Sequence, residues 1–156
     1  MKVKKHKNTE ELAVFACLTI TGEKIRRPVP IDMLVDTGSP WTVITPKEYE
    51  RLKIPLRTLE RASDISQVYL SGHTFWRYLL YDVTLRFRDE NGKLIKVDLP
   101  LIGVLVPTKK DREVEDIPSI LGCDFLKQTC FTFVYNPCNN LAYFESDDIS
   151  DYLFFG

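Results

Sequence analysis

A chain of 156 residues with 44 % hydrophobic side chains is long enough for one domain with its own core, burying about two-thirds of its unfolded surface. A formal net charge of −1 excludes a strongly basic nucleic-acid binder, and no apolar stretch approaches the length needed to span a membrane. Cys17, Cys123, Cys130 and Cys138 show no C-x-x-C spacing, and only His6 and His73 could join them. No metal or other cofactor is therefore expected, and the thiols predict a reducing, cytoplasmic setting.

In chain order, Lys2, Lys4, Lys5 and Lys7 mark residues 1–10 as a basic tail. Such runs are usually solvated, although this one could pair with the acidic and aromatic tail 146–156. Leu12 to Ile20 is short, follows Glu10 and Glu11 and contains Thr19, so it reads as a strand rather than a secretory signal. Strands are predicted at 12–21 and 25–35, joined at Thr21-Gly22-Glu23-Lys24, with a third at 41–44. A helix then opens with Thr45 as N-cap, Pro46 at the first helical position and Glu48 completing a capping box. It should end near Lys53, because Pro55 disfavours helix at Ile54.

From Ile65 to Phe87 the chain reads as strand around one break, Ser71-Gly72-His73. Val83, Leu85 and Phe87 alternate with polar residues. After the turn Asp89-Glu90-Asn91-Gly92, Ile95, Val97 and Leu99 alternate on a return strand. A separate buried strand is predicted at 101–106, and a charged, mobile loop at 108–116. The last hairpin, 131–135 and 141–144, surrounds Asn136-Pro137-Cys138-Asn139-Asn140; Cys130 and Cys138 flank it and would pair only under oxidation. These elements predict an all-β fold, a small closed barrel, mostly antiparallel, with one or two short helices, over residues 11–145.

Two segments carry chemistry. Asp36-Thr37-Gly38 ends the run Ile31-Asp32-Met33-Leu34-Val35 and is followed by Ser39-Pro40-Trp41-Thr42-Val43-Ile44. The tripeptide alone is equally consistent with a hairpin turn in which Asp accepts local backbone bonds. The second segment is Ile117-Pro118-Ser119-Ile120-Leu121-Gly122-Cys123-Asp124-Phe125-Leu126. Together, in this order, the two resemble the retropepsin family of single-lobed aspartic proteases. The form Leu-Gly-x-Asp-x-Leu looks more like cellular than retroviral members.

That resemblance implies an endopeptidase in which two carboxylates hold one water and share one proton. The chain has one Asp-Thr-Gly and no second copy, so the second carboxylate must come from a twofold homodimer. Asp36 is then the catalytic acid. Thr37 would bond across the dyad, Gly38 would let backbone approach substrate, and the Ser39 hydroxyl would reach the outer carboxylate oxygen. Ile120, Leu121 and Gly122 form the second structural motif, with Gly122 letting it pass close behind the loop.

The family's flap is assigned to residues 68–76, with Tyr69, Ser71, Gly72 and His73, together with Pro118 and Ile120, against substrate. The alternative is an ordinary surface hairpin, with the flap favoured by a small margin. Phe75, Trp76 and Tyr78 would form a peptide groove if exposed and core if buried. Cys123 stands where retroviral enzymes carry a bracing Arg, and Pro40-Trp41 stands where they carry acidic residues. The expected partners are a second copy and a peptide or unfolded protein, with neither nucleic acid nor membrane. The competing reading is a catalytically weak or inactive module of the same fold, used for dimerisation or peptide binding.

Overall fold

The computed structural model describes residues 1–5, 12–63 and 67–146. Ile65, where the strand-rich segment was expected to start, lies outside them, as do Lys7 and the acidic residues Asp147, Asp148 and Asp151. Strand β1 (Lys2–Lys5) pairs antiparallel with the start of β2 (Leu12–Gly22), so these first residues join the sheet. In β2 the alternate residues Val14, Ala16, Leu18 and Ile20 are buried, the period that places every second side chain on one face. A tight turn leads to β3 (Ile25–Val35).

After β3 come β4 (Val43–Ile44), helix α1 (Pro46–Leu52), a 3-10 turn at Leu56–Thr58, β5 (Glu60–Arg61) and β6 (Val68–Leu70). Trp41, expected in a strand, lies instead in the bend before β4. Helix α1 begins after Thr45 and ends at Leu52, with Lys53 in the left-handed region at φ 56°. The expected capping box is not formed. The Thr45 hydroxyl donates to the Ile117 carbonyl (2.7 Å), and Glu48 pairs with Arg51. Thr45 is fully buried, and a tertiary acceptor has taken the place of the local one.

Strands β7 (His73–Arg88) and β8 (Leu94–Pro107) form one long antiparallel ladder. The two strands expected at 95–99 and 101–106 are thus one. The ladder passes over the pair Asp82 and Pro100, because Pro100 has no N–H to donate. Residues 108–116 are not simply a loop: Arg112–Asp116 forms a 3-10 turn with Val114 buried. Then come β9 (Ser119–Leu121), α2 (Cys123–Thr129), and the hairpin β10 (Thr132–Asn136) and β11 (Leu141–Glu145).

The main sheet runs β1-β2-β3-β9-β4-β8-β7-β5, β6 adds to β7, and a further β2–β7 pairing links strands far apart on that path. Most pairs are antiparallel, with β3–β9 and β4–β8 parallel. The fold is mostly β with two short helices. Its core holds Ile20, Met33, Ile44, Leu80, Leu85 and Leu121. Phe125 of α2 is fully buried against Phe87, Phe131 and Phe144, at 5.3 to 6.4 Å between centroids. Burying such a ring contributes about 1.5–3 kcal/mol, which fixes α2 on the sheet.

Candidate active site

The loop 36–42 connects β3 to β4, and β9 runs parallel to β3 directly behind it. Asp36 is half-buried at the head of this loop. Its backbone N–H donates to the Leu121 carbonyl (3.1 Å). Its Oδ1 accepts the Gly38 N–H (2.9 Å), and the Ser39 N–H donates to the Asp36 carbonyl (3.1 Å). These bonds close a tight turn and fix one carboxylate oxygen. Oδ2 has no partner among the described residues.

The second motif holds the loop from behind. The N–H groups of Cys123 and Asp124 donate to the carbonyls of Ser39 (2.8 Å) and Pro40 (3.2 Å). A Cβ on Gly122 would stand 2.5 Å from the Trp41 carbonyl oxygen and 2.9 Å from that of Ser39. Only a glycine lets the two backbones approach so closely. The Cys123 thiol donates to the Thr37 carbonyl (3.0 Å) in the position where a bracing Arg was missed. No disulfide joins the four cysteines.

The loop's far end is held by Asp124 of the second motif and by Thr42, whose role sequence reasoning had not identified. Thr42, fully buried, donates its backbone N–H to Asp124 Oδ2 (2.9 Å) and its hydroxyl to Oδ1 (2.6 Å). The same hydroxyl accepts the Gly122 N–H (3.1 Å), and Asp124 Oδ1 also accepts the Phe125 N–H (2.8 Å). A carboxylate that accepts several N–H and O–H bonds makes a strong, geometrically defined clamp. The signal for it was the Asp within the Leu-Gly-x-Asp motif; its partner carried none.

Thr37 and Gly38 are exposed on the loop's outer side. The Ser39 hydroxyl donates to the Trp41 carbonyl (2.8 Å) rather than to Asp36. The β6–β7 hairpin turns at Ser71 and Gly72, at φ 51° and 81°. This is the double positive-φ geometry of a two-residue hairpin turn. Tyr69 on the hairpin is 73 % exposed, whereas Phe75 is fully buried and belongs to the core. Trp76 is half-buried under the Arg61 guanidinium, 4.0 Å from its centroid.

Ile120 is buried with Phe75, Val43, Leu105, Val114 and Ile117, with Val68 and Leu70 of the hairpin against them. The structure thus brings Ile120 under the hairpin, as core, and leaves Pro118 partly exposed. His73 lies between two carboxylates, Nδ1 3.8 Å from Asp111 and Nε2 3.7 Å from Glu113. These contacts are ion pairs only when the imidazole is protonated, and one ligand atom from each of the three residues lies within 4.8 Å of the others. A cavity of about 510 Å³ beside α1, lined by Pro46, Glu50, Lys110 and Arg112 among others, includes no residue of the Asp36 loop.

No family model matches the chain, and no curated protein matches it significantly. Among the solved structures that do match is EIAV protease complexed with the inhibitor HBY-793. It is 25 % identical, with a TM-score of 0.46, and the match covers 77 % of this chain and 89 % of that one. Among the described residues no helix is long and apolar enough to cross a membrane.

Proposed function

We propose that the chain is a retropepsin-like aspartic endopeptidase, of the cellular type, acting as a homodimer in which each protomer supplies Asp36. The observation that carries this reading is the fixation of the Asp36 turn by the segment 121–124, through the Leu121 carbonyl, the close pass of Gly122 and the Cys123 N–H. A carboxyl held in this way has one oxygen fixed by Gly38 and leaves the other available to a partner carboxyl. A turn alone needs no such support.

Two such carboxyls facing each other cannot both ionise, so they share one proton and titrate as a unit. The ionised member draws a proton from the bound water, and the protonated one donates to the scissile carbonyl as the water attacks. Both protons are accounted for without a covalent intermediate. Substrate would bind extended beneath the β6–β7 hairpin, with Tyr69, Ser71, Gly72 and His73 above it. The domain is taken as residues 11–145 together with strand β1, which pairs with its first strand, in a cytoplasmic setting.

One observation favours a second reading, a peptide-binding or dimerisation module with little turnover. The Ser39 hydroxyl is bonded to the Trp41 carbonyl and does not support Asp36. Cleavage of unfolded casein between about pH 3.5 and 7, the range for a shared-proton pair, separates the two. Under the protease reading, cleavage falls steeply on dilution and is lost in Asp36→Asn, which retains the Oδ1 acceptor for Gly38. Silence from a stable dimer establishes the module, and unchanged activity in Asp36→Asn overturns the catalytic assignment.

A further inference from the structure

The buried polar side chains Thr42, Thr45, Ser119 and Thr129 are hydrogen-bonded, and Glu48 is paired with Arg51. Arg77 of β7 is different. It is 8 % exposed, forms no ion pair among the described residues, and its Nε is buried without an acceptor. It shares the inward face of β7 with Phe75, an unusual phase for a charge.

The guanidinium is directed by its surroundings. A Cβ on Gly103 would stand 3.0 Å from Val43 Cγ1 and 3.4 Å from Arg77 Nε, so the glycine leaves room for the arginine to cross β8. The Gly103 N–H in turn donates to the Thr42 carbonyl (3.0 Å), which ties that point to the Asp36 loop. The arginine ends 5.2 Å from the centroid of the Trp41 ring, itself 49 % exposed. The ring's π face stabilises the cation but supplies no acceptor for its N–H groups. A buried guanidinium with one N–H unmet and no counter-ion is costly.

We propose that Arg77 and Trp41 form a subsite for an acidic side chain of an extended peptide, whose Asp or Glu carboxylate supplies the counter-ion that Arg77 lacks among the described residues. The guanidinium fork matches a carboxylate in shape and charge, and the Trp41 ring covers the pair from water. This rests on the reading of the Asp36 loop as one wall of a peptide cleft. It assigns specificity to Arg77, a residue that takes no part in the proton transfers.

The test uses neutral octapeptides in which one Glu is moved position by position, each compared with its Gln counterpart. Binding is measured with the full-length Asp36→Asn protein, so the result does not depend on turnover. At one position Glu should bind about tenfold more tightly than Gln, the effect of one charged hydrogen-bonded contact. That preference should vanish in Arg77→Met, shrink in Arg77→Lys and turn towards Lys in Arg77→Glu, with thermal melts confirming that each variant folds. Equal binding of Glu and Gln peptides at every position overturns the subsite whatever the variants do, as does a preference that survives in Arg77→Met. Failure of the protease reading shows itself separately: the unsubstituted chain leaves every peptide uncut while the preference for Glu persists.

Discussion

Thr42 and Asp124, 82 positions apart, are joined by two hydrogen bonds, one from the Thr42 backbone and one from its hydroxyl. This pair ties the end of the Asp36 loop to the start of α2. Removing the carboxylate in Asp124→Ala leaves a buried N–H and a buried hydroxyl without their acceptor, at a cost of about 2–4 kcal/mol. Thr42→Val loses only the hydroxyl and should cost about 1–3 kcal/mol. Urea unfolding of both single variants and the double variant should give a coupling energy above about 0.5 kcal/mol. Strict additivity would show that the clamp does not hold the loop.

Gly122→Ala puts a Cβ against backbone atoms of Trp41 and Ser39, which cannot swing aside as a side chain could. We expect a loss of at least about 1–3 kcal/mol, the range for overpacking, seen as a lower thermal midpoint. Under the protease reading, casein cleavage should fall further than stability does, because the loop itself must move. An unchanged midpoint would mean that the two segments are not in close contact.

The Tyr49 hydroxyl donates to the Ile54 carbonyl (2.6 Å). Burial, and then the neighbouring Tyr78 phenol, push its pKa above the ordinary tyrosine value. The folded state therefore holds this proton more tightly than the unfolded chain. The resulting stability is complete below the unfolded pKa of about 10 and is lost as pH rises through the folded one. Denaturant midpoints between pH 8 and 11 should fall more steeply for the unsubstituted chain than for Tyr49→Phe. Equal slopes would place the alkaline loss elsewhere.

His73 joins the β6–β7 hairpin to Asp111 and Glu113, both well exposed. With the imidazole protonated, exposed pairs of this kind contribute about 0–1 kcal/mol, and the hairpin keeps the Thr74–Thr108 bonds in any case. His73→Ala should therefore leave the urea midpoint nearly unchanged while raising amide exchange in residues 68–70. Unchanged exchange there would show that the clasp does not restrain the hairpin.

What the sequence disclosed, and what it hid, follows the range of each interaction. The bounds of β3 and α1 were legible because alternation, Pro46 and the Pro55 stop act within a few residues. The single strand β8 was read as two because Pro100 resembles a break; its long partner β7 bridges the gap. Thr45 looked like a local cap, but its hydroxyl bonds Ile117, a partner no local pattern reveals. The same holds for Thr42 with Asp124. Arg77 left a fainter trace, a charge in phase with the buried Phe75, and could have been found by following the inward face of β7.

The Asp36 loop is held from behind by Leu121, Gly122, Cys123 and Asp124. Ribosomal synthesis runs from the amino end, so the acid emerges well before the frame that orients it. A nascent or truncated chain carries the Asp-Thr-Gly without a formed loop. The order of the two motifs along the chain thus delays the formation of the loop until the second motif has been made.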